Sequence, residues 1–276
     1  MQLKDIIVCV AGADTAALDL AQQIAGDHGA HLACSAIGIM PTMLLYNEFG
    51  AGAAYTAQLH ENKAIIERFW GQLEEELGKR DPKIEIRRHR TYATNLESLV
   101  AAITRHSDLA IVRAPTTEET QPYAQMIEAA LLASGRPVMV APADWKARPV
   151  GRKMVIGWDA SREAARAMHD ALLLAAKDAE ITIVTVDAKP GSLDHGDAPG
   201  LDIAAHLARH GLKVELRNEA GLGRSTHEVL TQIATDIDAD MLVLGGYRHS
   251  RLQQVLFGGV TRSMLRSVPL PLLLSH

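Results

Sequence analysis

The residues best suited to chemistry in this chain are glycines. Gly245 and Gly246 end an apolar run, Met241-Leu-Val-Leu244, and a second pair, Gly258 and Gly259, follows further along. A glycine-rich strand end lets backbone N–H groups approach a phosphate closely, and a glycine pair that opens a helix adds the positive end of that helix. The chemistry in view is anion binding and not bond breaking. The chain has no Gly-x-Ser-x-Gly nucleophile elbow, no Gly-x4-Gly-Lys-Ser/Thr loop and no cluster at metal-site spacing. His206 and His210 lie four apart on one helical face, but no third ligand is evident, and they read as surface histidines near a helix C-terminus. Gly221-Leu-Gly-Arg-Ser225 reads as the turn and cap of the helix after it, in a loop bordering the same crevice.

The elements that must position these glycines come from an internal repeat. Asp108-Leu-Ala-Ile-Val-Arg113 matches Asp240-Met-Leu-Val-Leu-Gly245, and Arg136-Pro137-Val-Met-Val-Ala141 matches Val268-Pro269-Leu-Pro-Leu-Leu273. Asp108 to Pro137 and Asp240 to Pro269 span the same number of residues, so the stretch between aligns without a gap. Looser matches upstream make the chain a tandem duplication. Its joint is the short, polar, Pro-punctuated stretch from Ala143 to Gly151, which sets the expected domains at 1–146 and 150–276. The second half predicts strands at 153–158, 181–186, 212–217, 240–245 and 270–274. Helices are expected over 164–176, with Ser161 as N-cap, and from Thr226 to Ile237. Such alternation, with near-continuous Val/Ile/Leu strands, argues for two α/β domains of about five parallel strands, each covered by helices on both faces. A sheet of this kind takes ligand at the carboxyl ends of its strands, where strand order reverses. Those loops hold Asp159-Ala-Ser161 and Gly245 to Ser250.

The stretch from Gly245 through Thr261 resembles the universal stress protein family, whose ATP-binding members carry Gly-x2-Gly-x9-Gly followed by Ser or Thr. The resemblance covers both halves and is specific in the second. It implies paired, doubly wound, Rossmann-type five-stranded domains that bind adenine nucleotide for regulation more than for turnover. Gly245 matches the first glycine and Gly258 the third, with Val260 and Thr261 following. Asp159 matches the family's adenine-contacting aspartate, and Val186 the position that packs against the base. ATP is the implied cofactor, with Gly246 and Gly259 beside the motif glycines. Arg248 stands where the second glycine belongs, and Gly259 where Ser or Thr belongs. An arginine forced into a left-handed backbone costs about 1–2 kcal/mol, and its side chain would lie across the phosphate pocket. A guanidinium is also a strong bidentate phosphate donor, so position 248 either obstructs or clamps. The rival readings are a slow ATPase, with Thr261 and Arg248 near the phosphates, and a nucleotide-free interaction protein.

The first half has lost the motif. The repeat places Arg113 to Ile127 over the glycine loop, where no glycine survives, Glu118 and Glu119 would repel phosphate, and Pro115 and Pro122 lack N–H donors. Ala11-Gly-Ala-Asp14 leaves no acid at the adenine position, so this half is expected to be a nucleotide-free scaffold. The stretch 40–55 is apolar with glycine breaks. Leu44, Leu45, Tyr46 and Phe49 would be adhesive if exposed, and packing within the chain or a dimer explains them better than a dedicated partner or apolar ligand. Cys9 and Cys34 read as inert core thiols; Asp194, His195 and Asp197 read as a solvated connection. The fifth strands, Val138-Met-Val140 and Leu270 to Leu274, are expected to pair the halves.

Composition bounds the partners. The chain has 276 residues, 47% hydrophobic and 22% charged, with a net charge of −5, which excludes disorder and offers no basic block for nucleic acid. Aromatic residues at 4% leave no stacking platform for single strands. No apolar run approaches the roughly 18 residues of a membrane span, and the N-terminus lacks a signal-peptide pattern. With two cysteines, a reducing, cytoplasmic home is expected, with adenine nucleotide and a second copy of the chain as partners.

Overall fold

The short apolar runs become strands because each is buried on both faces by helices that supply a matching apolar stripe. The computed structural model describes residues 3–12, 15–40, 51–81, 83–116, 122–192, 195–246, 265 and 268–276, with only the backbone for 51–55. In the first half the order is β1 (Asp5–Val10), α1 (Ala16–His28), β2 (His31–Met40), α2 (Ala51–Gly78), β3 (Glu85–Tyr92), α3 (Leu96–Thr104), β4 (Leu109–Arg113), α4 (Tyr123–Ala133) and β5 (Val138–Ala141). The second half continues with β6 (Lys153–Gly157), α5 (Arg162–Ala171), β7 (Glu180–Val186), α6 (Leu201–Arg209), β8 (Lys213–Glu219), α7 (Thr226–Asp236), β9 (Met241–Gly245) and β10 (Leu272–Ser275).

The ten strands of the described residues form one sheet in the order β3-β2-β1-β4-β5-β10-β9-β6-β7-β8. Each half is parallel internally, and strand order reverses between β1 and β4 and again between β6 and β9. The halves meet where Val138, Met139 and Val140 pair antiparallel with Leu274, Leu273 and Leu272, the fifth-strand pairing expected from the repeat. All six are fully buried or nearly so, each worth about 1.5–3 kcal/mol in apolar burial. Arg166 of α5 donates to the Gly135 carbonyl at 2.8 Å, a second link between the halves. The sheet ends, β3 and β8, are rich in charged residues, which blunts edge pairing.

The repeated aspartates have one structural job. Asp240 accepts from the backbone N–H groups of Gly151, Arg152 and Lys153 at 2.8–3.0 Å, tying the start of β6 to that of β9. Asp108 accepts from Lys4 and Asp5 at 2.8 and 3.0 Å at the same place in the first half. Burial pushes the Asp240 carboxyl up, against the lowering effect of its three N–H donors.

Ser161 caps α5 as expected, accepting from the Ala164 N–H at 3.0 Å. The helix is shorter than the expected 164–176. Gly151 adopts φ +85°, and the carbonyl of Leu174 lies where a Cβ would stand, so the chain turns down there onto the start of β6. Ser225 and Glu228 form a full capping box at the start of α7. Residues 51–55, expected in a loop, form the first turns of α2, while 41–50 lie outside the described residues. The 28-residue α2 lies over β2: Trp70 Nε1 donates to the Ala36 carbonyl at 3.1 Å, and Gly38 has no Cβ because Ile66 occupies that space. No helix of the described residues is long and apolar enough to cross a membrane.

Candidate functional site

The carboxyl ends of β6 and β9 are neighbours, so the strands bring Asp159 and Gly245 to one edge of the second half. Around them stand the loops after β7 and β8. Asp187 follows Val186, and its Oδ1 accepts from the Gly221 N–H at 2.9 Å, pinning the two loops together. Four non-glycine residues among those described have left-handed backbones: Ala160 (φ 57°), Asp187 (φ 52°), Leu222 (φ 52°) and Asp238 (φ 52°). Three of them lie in the loops after β6, β7 and β8, at this edge. Such conformations persist where surrounding structure holds them, and they cluster at ligand sites. Leu222 is also 85% exposed, an apolar side chain held out beside the crevice.

The structure assigns local duties to the residues the sequence singled out. Asp159 Oδ1 accepts from the Ser161 N–H at 3.0 Å, setting the turn into α5. Val186 ends β7, half-buried. Gly245 sits against the first turn of α5, where a Cβ would come within 2.6 Å of the Glu163 carbonyl carbon. Gly246 is packed by the other half: a Cβ there would lie 2.8 Å from Leu131 of α4. Its N–H donates to the Ser275 carbonyl at 2.8 Å, and its carbonyl faces His276 Nδ1 at 3.0 Å. These two glycines are therefore required by packing, whatever else they do. Arg248, Gly258, Gly259, Val260 and Thr261 lie outside the described residues, as do Glu118, Glu119 and Asp194. Arg224 Nε donates to Gly221 at 3.3 Å and Ser225 takes the cap, so the Gly221–Ser225 loop is the turn it was expected to be.

In the first half, Arg113 fills the place of Gly245. It is buried at the end of β4, with its guanidinium 4.0 Å over the ring of Tyr123. Gly245, by contrast, is packed closely against the first turn of α5. Sequence reasoning recognised the lost glycine but not its replacement, because Tyr123 is ten residues away on another element.

Elsewhere, His206 and His210 belong to a three-histidine stack that the sequence did not reveal in full. His169 of α5 meets His206 edge-on at 5.4 Å, and His206 meets His210 at 4.9 Å. Burial, then the neighbouring His210 and His169, pushes His206 down. Among the described residues no group of His, Cys, Asp or Glu could hold a metal ion. Cys9 and Cys34 are buried in the core, and burial pushes both thiols up to about 12. His195 is half-buried at the end of a small Ser192–Gly196 bridge, while Asp197 is exposed.

Comparison with known proteins fits this architecture. Residues 151–276 match the family model described as the Universal stress protein family, so the second half is a universal stress protein domain. A universal stress protein from Archaeoglobus fulgidus DSM 4304 superposes over 98% of this chain and 97% of its own, with a TM-score of 0.68 at 14% identity. A functionally unknown protein from Pseudomonas aeruginosa PAO1 superposes over 99% and 92%, with a TM-score of 0.55 at 17% identity. The chain as a whole thus shares the fold of these two structures. No curated protein matches it.

Proposed function

We propose that residues 150–276 bind adenine nucleotide, ATP above all, in a regulatory, stress-response role, and that residues 1–146 are a nucleotide-free scaffold paired with them. The observation behind this reading is the convergence of Asp159, Gly245 and three left-handed loop residues on one strand-order reversal. The partly retained glycine motif of residues 245–261 supports it. Asp159 and Val186 would hold the base; Gly245, Gly258, Gly259, Val260 and Thr261 would line the phosphates, with Gly246 supporting Gly245. Arg248 would face the phosphates. The protein acts in the cytoplasm as a homodimer, and turnover of ATP is at most slow.

A second reading is a nucleotide-free interaction protein. It is favoured by the N–H of Gly246 and by Asp159 Oδ1, both already engaged within the chain. Mass spectrometry of small molecules released on denaturing the purified protein separates the two. Calorimetric titration with ATP should then give one site per chain. Asp159→Ala should weaken ATP binding by about 1.5–3 kcal/mol, the scale of a hydrogen bond to a charged group, or tenfold and more. Unchanged affinity removes Asp159 from the site, and two equivalent sites refute the division of labour. Phosphate release above background would mark the ATPase. The same titration of Arg248→Gly distinguishes a blocking arginine, whose loss strengthens binding, from a clamping one, whose loss weakens it.

A further inference from the structure

Among the described residues, the crevice of the first half, at the strand ends corresponding to the proposed nucleotide site, is not filled in. It is a cavity of about 600 Å³. Its floor is the end of β2, Ile37 to Ile39, with Ala11 and Gly12 following β1; its far wall is Leu96 at the start of α3. The roof is α2, which contributes Ile65, Ile66 and Phe69. Ile65 is 46% exposed at the rim, an apolar side chain left facing water beside an apolar opening. Three polar side chains complete the lining: Arg68, Gln72 and Gln125. No carboxylate is among the described lining residues.

Size and composition match a small-molecule site, which is typically 300–1,000 Å³, mostly apolar, with a few polar groups that fix orientation. The walls do not suit a triphosphate. The position of the first motif glycine belongs to Arg113, buried against Tyr123, and Gly12 stands 3.4 Å from the Tyr123 hydroxyl when given a Cβ. What the cavity offers is apolar surface with one guanidinium. Arg68 is exposed, on α2, with its Nε donating to the Ala64 carbonyl at 3.4 Å.

We propose that this cavity binds a small amphipathic carboxylate, its aliphatic tail against Ile37, Ile39, Ile66 and Phe69 and its carboxylate at Arg68. The charge at the mouth selects an anion, and the apolar walls select a hydrocarbon tail over a sugar or base. The scaffold half thereby carries a ligand of its own, of a different class from the nucleotide proposed for the second half.

The test uses the full-length protein and three probes below their micellar concentrations: decanoate, decanol and decyltrimethylammonium. Titration followed by amide NMR should show decanoate saturating one site per chain, with shifts at Ile37, Ile39 and Phe69. Decanol should bind at least tenfold more weakly and the cation not at all. Arg68→Gln, at an exposed position, should abolish the preference for decanoate over decanol while leaving decanol affinity unchanged. Ile39→Trp should fill the cavity and abolish both, with thermal unfolding checking that the fold survives. Failure of decanoate to saturate, equal binding of all three probes, or a preference that survives Arg68→Gln overturns the proposal. Saturating ATP should leave decanoate affinity unchanged. Displacement of decanoate by ATP would overturn it by placing nucleotide in the first half, whereas absence of ATP binding alone bears only on the second half.

Discussion

The two crevices, each at the carboxyl ends of its own half's strands and so on opposite edges of the sheet, are built on one strand order and closed in different ways. In the second half, the crossover helix after β7 has nine residues, and the rim is made of loops with Ala160, Asp187 and Leu222 in left-handed conformations. In the first half, the corresponding helix has 28 residues, lies over β2, and roofs an apolar cavity. Among the described residues of that half no non-glycine residue has a left-handed backbone. Duplication preserves what the core needs, the strand register and the aspartate knots, because each is fixed by many buried neighbours. The crossover helix and the loops answer to fewer constraints, so one frame can hold two chemistries.

The comparison can be broken most forcefully at the seam the halves share. Met139 and Leu273 are paired there and fully buried. Met139→Asp should cost more than about 4 kcal/mol by burying a charge, much of a typical total stability, and leave insoluble or unfolded protein. A soluble variant with unchanged melting temperature would mean that the seam does not hold the halves. The aspartate knots sharpen the contrast on a smaller scale. Asp240→Ala orphans three backbone donors and should cost about 3 kcal/mol, while Asp108→Ala orphans two in a more open setting and should cost about 2 kcal/mol. Urea denaturation measures both, and the reverse order would show that the knots are not equivalent devices.

The smallest effect concerns the strained rim. Leu222→Gly should stabilise the protein by about 1 kcal/mol, since glycine relieves a left-handed backbone at an exposed position that buries little. A control lies outside the crevice rims at Gly29, the left-handed cap of α1, where Gly29→Ala should destabilise by about the same amount. Equal signs for the two changes, read from melting curves, would show that the rim of the second half carries no strain.

Much of the frame was legible because it is written in local periodicity and repeated spacing. Every strand boundary in the second half falls within two residues of the expected one, the largest differences being the later end of β8 and the later start of β10, and Ser161 was readable as a cap because capping is a contact over three residues. The end of α5 was less legible. Residues 172–176 keep a helical apolar pattern, and what stops the helix is the fit of the Leu174 carbonyl against Gly151, a contact between residues distant in sequence. The first turns of α2 were read as loop because glycines at 50 and 52 and a run of small residues resemble loop composition, while tertiary packing over β2 favours a helix.

By itself the sequence determined that the chain repeats an α/β frame, that its halves join through their fifth strands, and that the glycines at 245, 246, 258 and 259 have no counterpart in residues 113–127. Residue type and spacing carry those facts, since strands, caps and glycine loops are short-range objects. Tertiary structure alone decided that Gly246 is held by Leu131 and Ser275, that Arg113, the repeat counterpart of Gly245, stacks on Tyr123, and that His169 completes a stack with His206 and His210. It also decided that a 28-residue helix leaves an apolar cavity beneath it. Each of these depends on side chains from separate elements sharing one small volume, and such volumes exist only once the sheet has brought the elements together.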